Sequence, residues 1–199
     1  MSDMSHIVEL HLHLDGSLRP ETVWELAKEQ GVELPAKSAE EVKYMMEVPE
    51  DCKTLEEYLE RFDLPLLVLQ KADAIERVTF ELVEDLAKEG VEYAELRFAP
   101  QFSIKDGLTQ DEVVEAAIRG AERGMKLYPQ IRVGLILCCM RGADNEELNM
   151  QTVETANVIF NLLILSFFKY YDFFVDSLID AFSYIGISLH ISTLSLFLS

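Results

Sequence analysis

The order of hydrophobic patterns predicts an α/β fold: a parallel sheet wrapped by helices, amounting to about the first three to four βα units of a barrel. Three observations carry this. Residues Ile7–His13 and Val91–Phe98 alternate with period two, and Ile131–Met140 is strongly apolar, so three strands are expected. Segments of helical period separate them, and such alternation implies parallel strands with helical crossovers. Length sets the extent. A complete eightfold barrel needs about 250 residues, and the chain has 199.

Each element has its own signature. In the first strand Val8, Leu10, Leu12 and Leu14 fall on one side, while Glu9, His11, His13 and Asp15 fall on the other. Pro20 followed by apolar Val23, Trp24, Leu26 and Ala27, then Gly31, marks a helix with proline in its first turn and glycine past its end. Ser38 with Glu41 and Thr54 with Glu57 are capping boxes, each opening a short amphipathic helix. The second carries Leu55, Tyr58, Leu59 and Phe62 on one stripe, and Pro65 is expected to interrupt it. A longer helix is predicted over 72–88, stopped by Gly90; Thr109 with Glu112 caps another to about Leu127. Helical pattern resumes at Glu146–Asn157. The sum is a partial (βα)8 TIM-type barrel whose last strand offers an unpaired edge.

Composition narrows the function classes. Net charge is -19, from 36 acidic and 17 basic residues, a balance that repels a phosphate backbone and excludes nucleic acid as a partner. The three cysteines, Cys52, Cys138 and Cys139, imply no disulfide framework. Cys138 and Cys139 are expected in the core. The opening residues have no basic and apolar regions of a signal peptide, so a cytoplasmic location is expected. From about residue 158 the composition shifts to Phe, Leu, Ile, Ser and Tyr, and Ala181–Ser199 has no Asp, Glu, Lys or Arg. Such a run nears the length of a membrane span, but its hydroxyl residues and missing basic flank argue against one. Residues 158–199 are therefore read as a hydrophobic tail translated from an unspliced intron or shifted frame, and residues 6–157 as the organised part.

His11-Leu12-His13 is the motif that carries chemistry. Two residues apart on a strand, both imidazoles leave the same face with Cα atoms about 6.6 Å apart. A single ion at about 2.0–2.1 Å per bond is within reach of both. Asp15 follows at the carboxyl end, where barrel enzymes place their sites. The spacing alone leaves open both zinc binding and a pair of partly buried structural histidines.

The wider string decides between them. Val8-Glu9-Leu10-His11-Leu12-His13-Leu14-Asp15-Gly16-Ser17, then Arg19-Pro20-Glu21-Thr22, resembles the opening of adenosine deaminases. The resemblance continues in order through Leu55-Glu56-Glu57-Tyr58-Leu59-Glu60-Arg61-Phe62-Asp63, Glu95-Leu96-Arg97-Phe98-Ala99-Pro100 and Leu137-Cys138-Cys139-Met140-Arg141. It implies a barrel of the metallo-dependent hydrolase type that uses zinc to deaminate adenosine and 2′-deoxyadenosine to inosine in purine salvage. His11 and His13 correspond to two zinc ligands. His13, Asp15 and Met140 correspond to substrate-binding positions, with Asp15 on a ribose hydroxyl; aspartate there points to a nucleoside rather than to the adenine or methylated-AMP substrates of related enzymes. Leu55, Tyr58, Leu59 and Phe62 match the family's hydrophobic gate, although the same stripe also suits a helix packed in a core. The cytidine-type deaminase pattern, His-x-Glu with Pro-Cys-x-x-Cys, is not this one.

The resemblance also implies parts that the matched region does not hold: a third histidine ligand, a His-Ala-Gly-Glu motif with the proton-donating glutamate, and a late Asp-Asp pair. His190 is followed three residues later by Thr193, not glutamate, and receives no role. No catalytic acid or base is assigned within the matched region. The expectation is an adenosine deaminase sequence truncated and inactive alone. A non-catalytic product that binds a partner or membrane is the alternative.

Overall fold

A computed structural model of the chain describes residues 7–49 and 51–160. The chain divides into two compact units, residues 1–152 and 153–199; the architecture below belongs to the first. Of the second, residues 153–160 are described and helical, so the expected tail lies outside the described residues except for its first three positions.

Three strands form a single parallel sheet in the order β1 (Ile7–His13), β2 (Val91–Phe98), β3 (Arg132–Leu137). Strands that follow one another in both sequence and space wind in one direction, as in a barrel and unlike a doubly wound sheet. β2 pairs with β3 without interruption from Tyr93–Arg132 to Phe98–Leu137. Its pairing with β1 is irregular, with register shifts after Ile7 and Glu9.

The first connection is the elaborate one. It holds α1 (Pro20–Gln30), α2 (Ala39–Met46), α3 (Leu55–Leu59), a 3-10 turn at Glu60–Phe62, α4 (Asp63–Val68) and α5 (Ala72–Lys88). α1 begins on Pro20 and ends on Gly31 at φ 68°, a left-handed cap that glycine adopts without a steric penalty. Ser38 and Thr54 accept from the Glu41 and Glu57 amides, but the glutamates reach back to the amides of Lys37 and Lys53 instead of the caps themselves. Thr109 closes a full reciprocal box at the start of α6 (Gln110–Leu127).

Two expectations need correction. Pro65 does not interrupt a helix. It lies in the first turn of α4, where a missing N–H removes no intrahelical bond. The third strand stops at Leu137, not Met140, because its neighbour β2 stops at Phe98 before Pro100; the Cys138 N–H to the Phe98 carbonyl, at 2.9 Å, is the last rung.

The core lies between the outer sheet face and α5 and α6. Ala94, Leu96 and Phe98 of β2, Ile75, Val78 and Leu82 of α5, and Val113, Ala116 and Ala117 of α6 are all buried in this layer. The two helices approach closely through Gly120 and Gly124. A Cβ on Gly120 would stand 2.4 Å from the Glu76 carbonyl oxygen, and one on Gly124 2.7 Å from Val83 Cβ. The inner face, carrying His11, His13, Tyr93, Glu95 and Arg97, has no covering layer among the described residues of this unit.

Candidate functional site

The carboxyl ends of the three strands gather the side chains that the motif singled out. β1 presents His11 and His13 on its inner face, ring centroids 5.3 Å apart and tilted 44° to each other. The strand then tightens into a 3-10 turn, Leu14–Gly16, which tucks Asp15 beneath the sheet's end. Asp15 therefore reaches His13 by a turn, not by continuing the strand: its Oδ1 lies 3.7 Å from His13 Nδ1, too far for a hydrogen bond. That oxygen is buried with no partner. Burial raises the Asp15 carboxyl to about 6, against a smaller opposing effect of its own backbone N–H. Burial also lowers the His13 pKa, and the charges of Arg97 and His11 add to the effect.

Arg97, on the adjacent strand, is the group that sequence reasoning missed. Its Nη1 stands 3.0 Å from both ring nitrogens of His11, and Nη2 donates to Cys138 Sγ at 3.5 Å. The signal was present: Tyr93, Glu95 and Arg97 put polar groups on one face of a strand between two others, an arrangement that a structural strand does not need.

A cavity of about 350 Å³ opens beside His13 and Asp15. Leu59, Phe62 and Leu66 wall one side; Phe98, Ala99 and Phe102 another; Cys138 and Met140 close a third, with Asp63 and Lys105 also lining it. Met140 is held by Asn149, whose Oδ1 accepts from the Met140 N–H at 2.8 Å and whose Nδ2 donates to its carbonyl at 2.7 Å. Of the four stripe residues, Leu59 and Phe62 reach the cavity. Leu55 and Tyr58 do not line it, though Tyr58 backs the Phe62 ring at 5.8 Å. None of the four is buried, which overturns the core-packing alternative for this stripe. The expectation that both cysteines are core residues also fails: Cys138 is half-buried and Cys139 exposed, because the chain has already left the sheet.

The donor set accepts a metal in part. Two imidazoles bound to one ion at about 2.0–2.1 Å and a roughly tetrahedral angle place their ring centroids about 5 Å apart, close to the separation here. Catalytic zinc normally has three protein ligands. Among the described residues no group of three or more His, Cys, Asp or Glu is placed to hold a metal.

The family model for adenosine deaminase matches residues 7–166. The chain belongs to the adenosine deaminase family. It is 45% identical over 147 residues to the adenosine deaminase of Haemophilus ducreyi, an alignment covering 74% of this chain and 43% of that protein. Among solved structures it resembles Arabidopsis ADAL complexed with GMP, with a TM-score of 0.61 and 31% identity over 77% of this chain and 46% of that one. A Burkholderia ambifaria amidohydrolase with bound Zn superposes with a TM-score of 0.57 at 25% identity, over 66% and 35% of the two chains. The fold of these solved relatives is the TIM-type barrel, of which the three strands here are a part. The chain spans less than half the length of the relatives it matches. No helix of the described residues is long and apolar enough to cross a membrane.

Proposed function

We propose that this chain carries the metal-binding opening of a zinc-dependent hydrolase that deaminates adenosine and 2′-deoxyadenosine to the inosine products. The observation that carries the reading is the pair of imidazoles at 5.3 Å on one strand face, with a buried, unpartnered carboxylate oxygen and an apolar cavity beside them. The zinc in the Burkholderia ambifaria relative and the purine nucleotide in the Arabidopsis one support the metal and the substrate class. A cytoplasmic setting suits three free cysteines.

His11 and His13 would hold the zinc. When bound, zinc lowers the pKa of a water and so supplies hydroxide near neutral pH. The chain's own residues do the rest of the work assigned to this half of the site. Asp15 accepts a hydrogen bond from a ribose hydroxyl, filling the vacancy on its buried Oδ1. Phe62, Leu66, Phe102 and Met140 give the purine an apolar bed and keep bulk water away from it. Leu55, Tyr58, Leu59 and Phe62 form the segment that opens and closes over that bed. The net reaction replaces the C6 amine by an oxygen from water and releases ammonia.

The roles assigned here, two metal-holding imidazoles and a ribose-binding carboxylate, make half a site. The purified 199-residue chain, supplied with zinc and adenosine, is expected to show no absorbance change of deamination; turnover abolished by a chelator contradicts this. Equilibrium dialysis tests the metal directly. Zinc retained by the chain and lost on His11→Ala or His13→Ala is expected, whereas equal retention in all three overturns the assignment.

A further inference from the structure

Metal-binding histidines are usually oriented by a hydrogen bond to the second ring nitrogen. The His13 ring has no such bond among the described residues; the Asp15 carboxylate stands 3.7 Å from its Nδ1. What faces its ring is Phe62, edge-on, with centroids 5.6 Å apart and planes at 68°. This T-shaped geometry is the favoured arrangement of two aromatic rings. The Tyr58 ring lies 5.8 Å from that of Phe62, and the His11 ring 5.3 Å from that of His13.

Gly16 supplies a second, independent observation. It does not adopt the left-handed backbone that would explain a glycine, since the positive-φ glycines among the described residues are Gly31, Gly90, Gly107 and Gly142. Space explains it instead. A Cβ on Gly16 would lie 2.8 Å from Phe62 Cε1 and 3.1 Å from Cζ, and 3.5 Å from His13 Cβ. The turn after β1 is kept bare so that the Phe62 ring can lie across it against His13.

We propose that Phe62 is a positioning residue for His13, that Gly16 is glycine to admit its ring, and that the 55–62 segment thereby couples its own position to the orientation of a metal ligand. The proposal rests on the metal-binding reading of His13. Phe62 touches no reacting atom. It removes rotational freedom from an imidazole that no hydrogen bond fixes, so the ion finds the ring already aimed.

The test uses the full 199-residue chain. In the metal-free protein, the His13 ring protons should carry a ring-current contribution from Phe62, over that of His11, that is lost in Phe62→Leu and altered in Gly16→Ala. Leu59→Ala, which alters the cavity wall but leaves both rings of the Phe62–His13 pair intact, should leave it in place. Zinc affinity by chelator competition should fall about tenfold or more in Phe62→Leu and in Gly16→Ala, the scale of losing an orienting neighbour. The double variant should be no worse than either single one, because both act through one contact. Ring protons and zinc affinity unchanged in Phe62→Leu would overturn the proposal. A wild-type chain that binds no zinc removes the metal reading, and the ring-proton shifts then decide the positioning claim by themselves.

Discussion

Strands β1 and β2 lie side by side with the same alternation of apolar and polar residues, yet their apolar faces meet different fates. On β2, Ala94 and Leu96 are completely buried. On β1, Val8 is 51% and Leu10 56% exposed. Residue type does not separate them, since leucine appears on both. Position does. β2 is central, between β1 and β3, whereas β1 is an edge strand. Its pairing shifts after Ile7 and again after Glu9, so that Val8 stands opposite the exposed Tyr93, and Glu9, not an apolar residue, opposite the buried Ala94. Periodicity specifies which side of a strand is greasy; only the neighbouring elements decide whether that side is dry.

The contrast is broken most sharply by truncating the two leucines. Leu96→Ala deletes a side chain packed on all sides, and a cost of about 3 kcal/mol is expected from lost transfer energy and the cavity left behind. Leu10→Ala removes a side chain already more than half in water and should cost less than about 1 kcal/mol. Urea melts of both variants measure the difference. Equal losses would mean that the β1 face is covered in solution.

A second break lies where α5 meets α6. On a free helix, Gly→Ala stabilises by about 1 kcal/mol. At Gly120 the new methyl would meet the Glu76 carbonyl and the Phe80 amide, both backbone, so the helices must separate. Gly120→Ala is expected to reverse the sign and destabilise by about 2 kcal/mol. It should also loosen the layer over β2 while leaving β1 unaffected, which amide exchange of the two strands reports. Stabilisation by this variant would show that the close approach is dispensable.

How much of this was legible in the sequence follows the same division between local and distant causes. The bounds 72–88 and 91–98 were readable because caps, glycine and period lie within the segments themselves. His11 and His13 share a face because a strand makes them, and that too is local. Asp15 was placed correctly beside His13 but for the wrong local reason, since the strand ends before it. Its burial depends on packing that local periodicity does not describe. The end of β3 escaped prediction because β2 sets it from the opposite strand. Arg97 against His11 and Phe62 against His13 are contacts across separations of 86 and 49 residues, which no local pattern encodes. Pro65 differs in kind: the rule about proline holds, but a further helix, α4, opens at Asp63, two residues before it, and the stripe over 55–62 does not signal that start.

Beyond the pairing of β1 with β2, ionic contacts fasten the turn after β1 and the helix α1 to α5, and they yield the smallest expected effect. Arg19, just after the β1 turn, pairs with Glu84 and Asp85 of α5, while Thr22 donates to Glu81 and Arg77 reaches Glu25 of α1 at 2.5 Å. The Arg19 guanidinium, joined by Tyr128 and Lys88, holds the Glu84 carboxyl down at about 2, against an ordinary value of 4.5. Between those two values the unfolded chain binds the proton and the folded chain does not, so stability is present above pH 4.5 and drains away as the pH falls towards 2. Because the pair is partly exposed and screened, about 1 kcal/mol is the expected scale. Glu84→Gln should lower stability by that amount at pH 7, and the gap to wild type should close as urea melts are repeated at successively lower pH. A gap that stays constant down to pH 2.5 would mean that the carboxylate's charge does not contribute to the fastening, and that the α1–α5 contact is held by packing and by the Arg77 and Thr22 bonds instead.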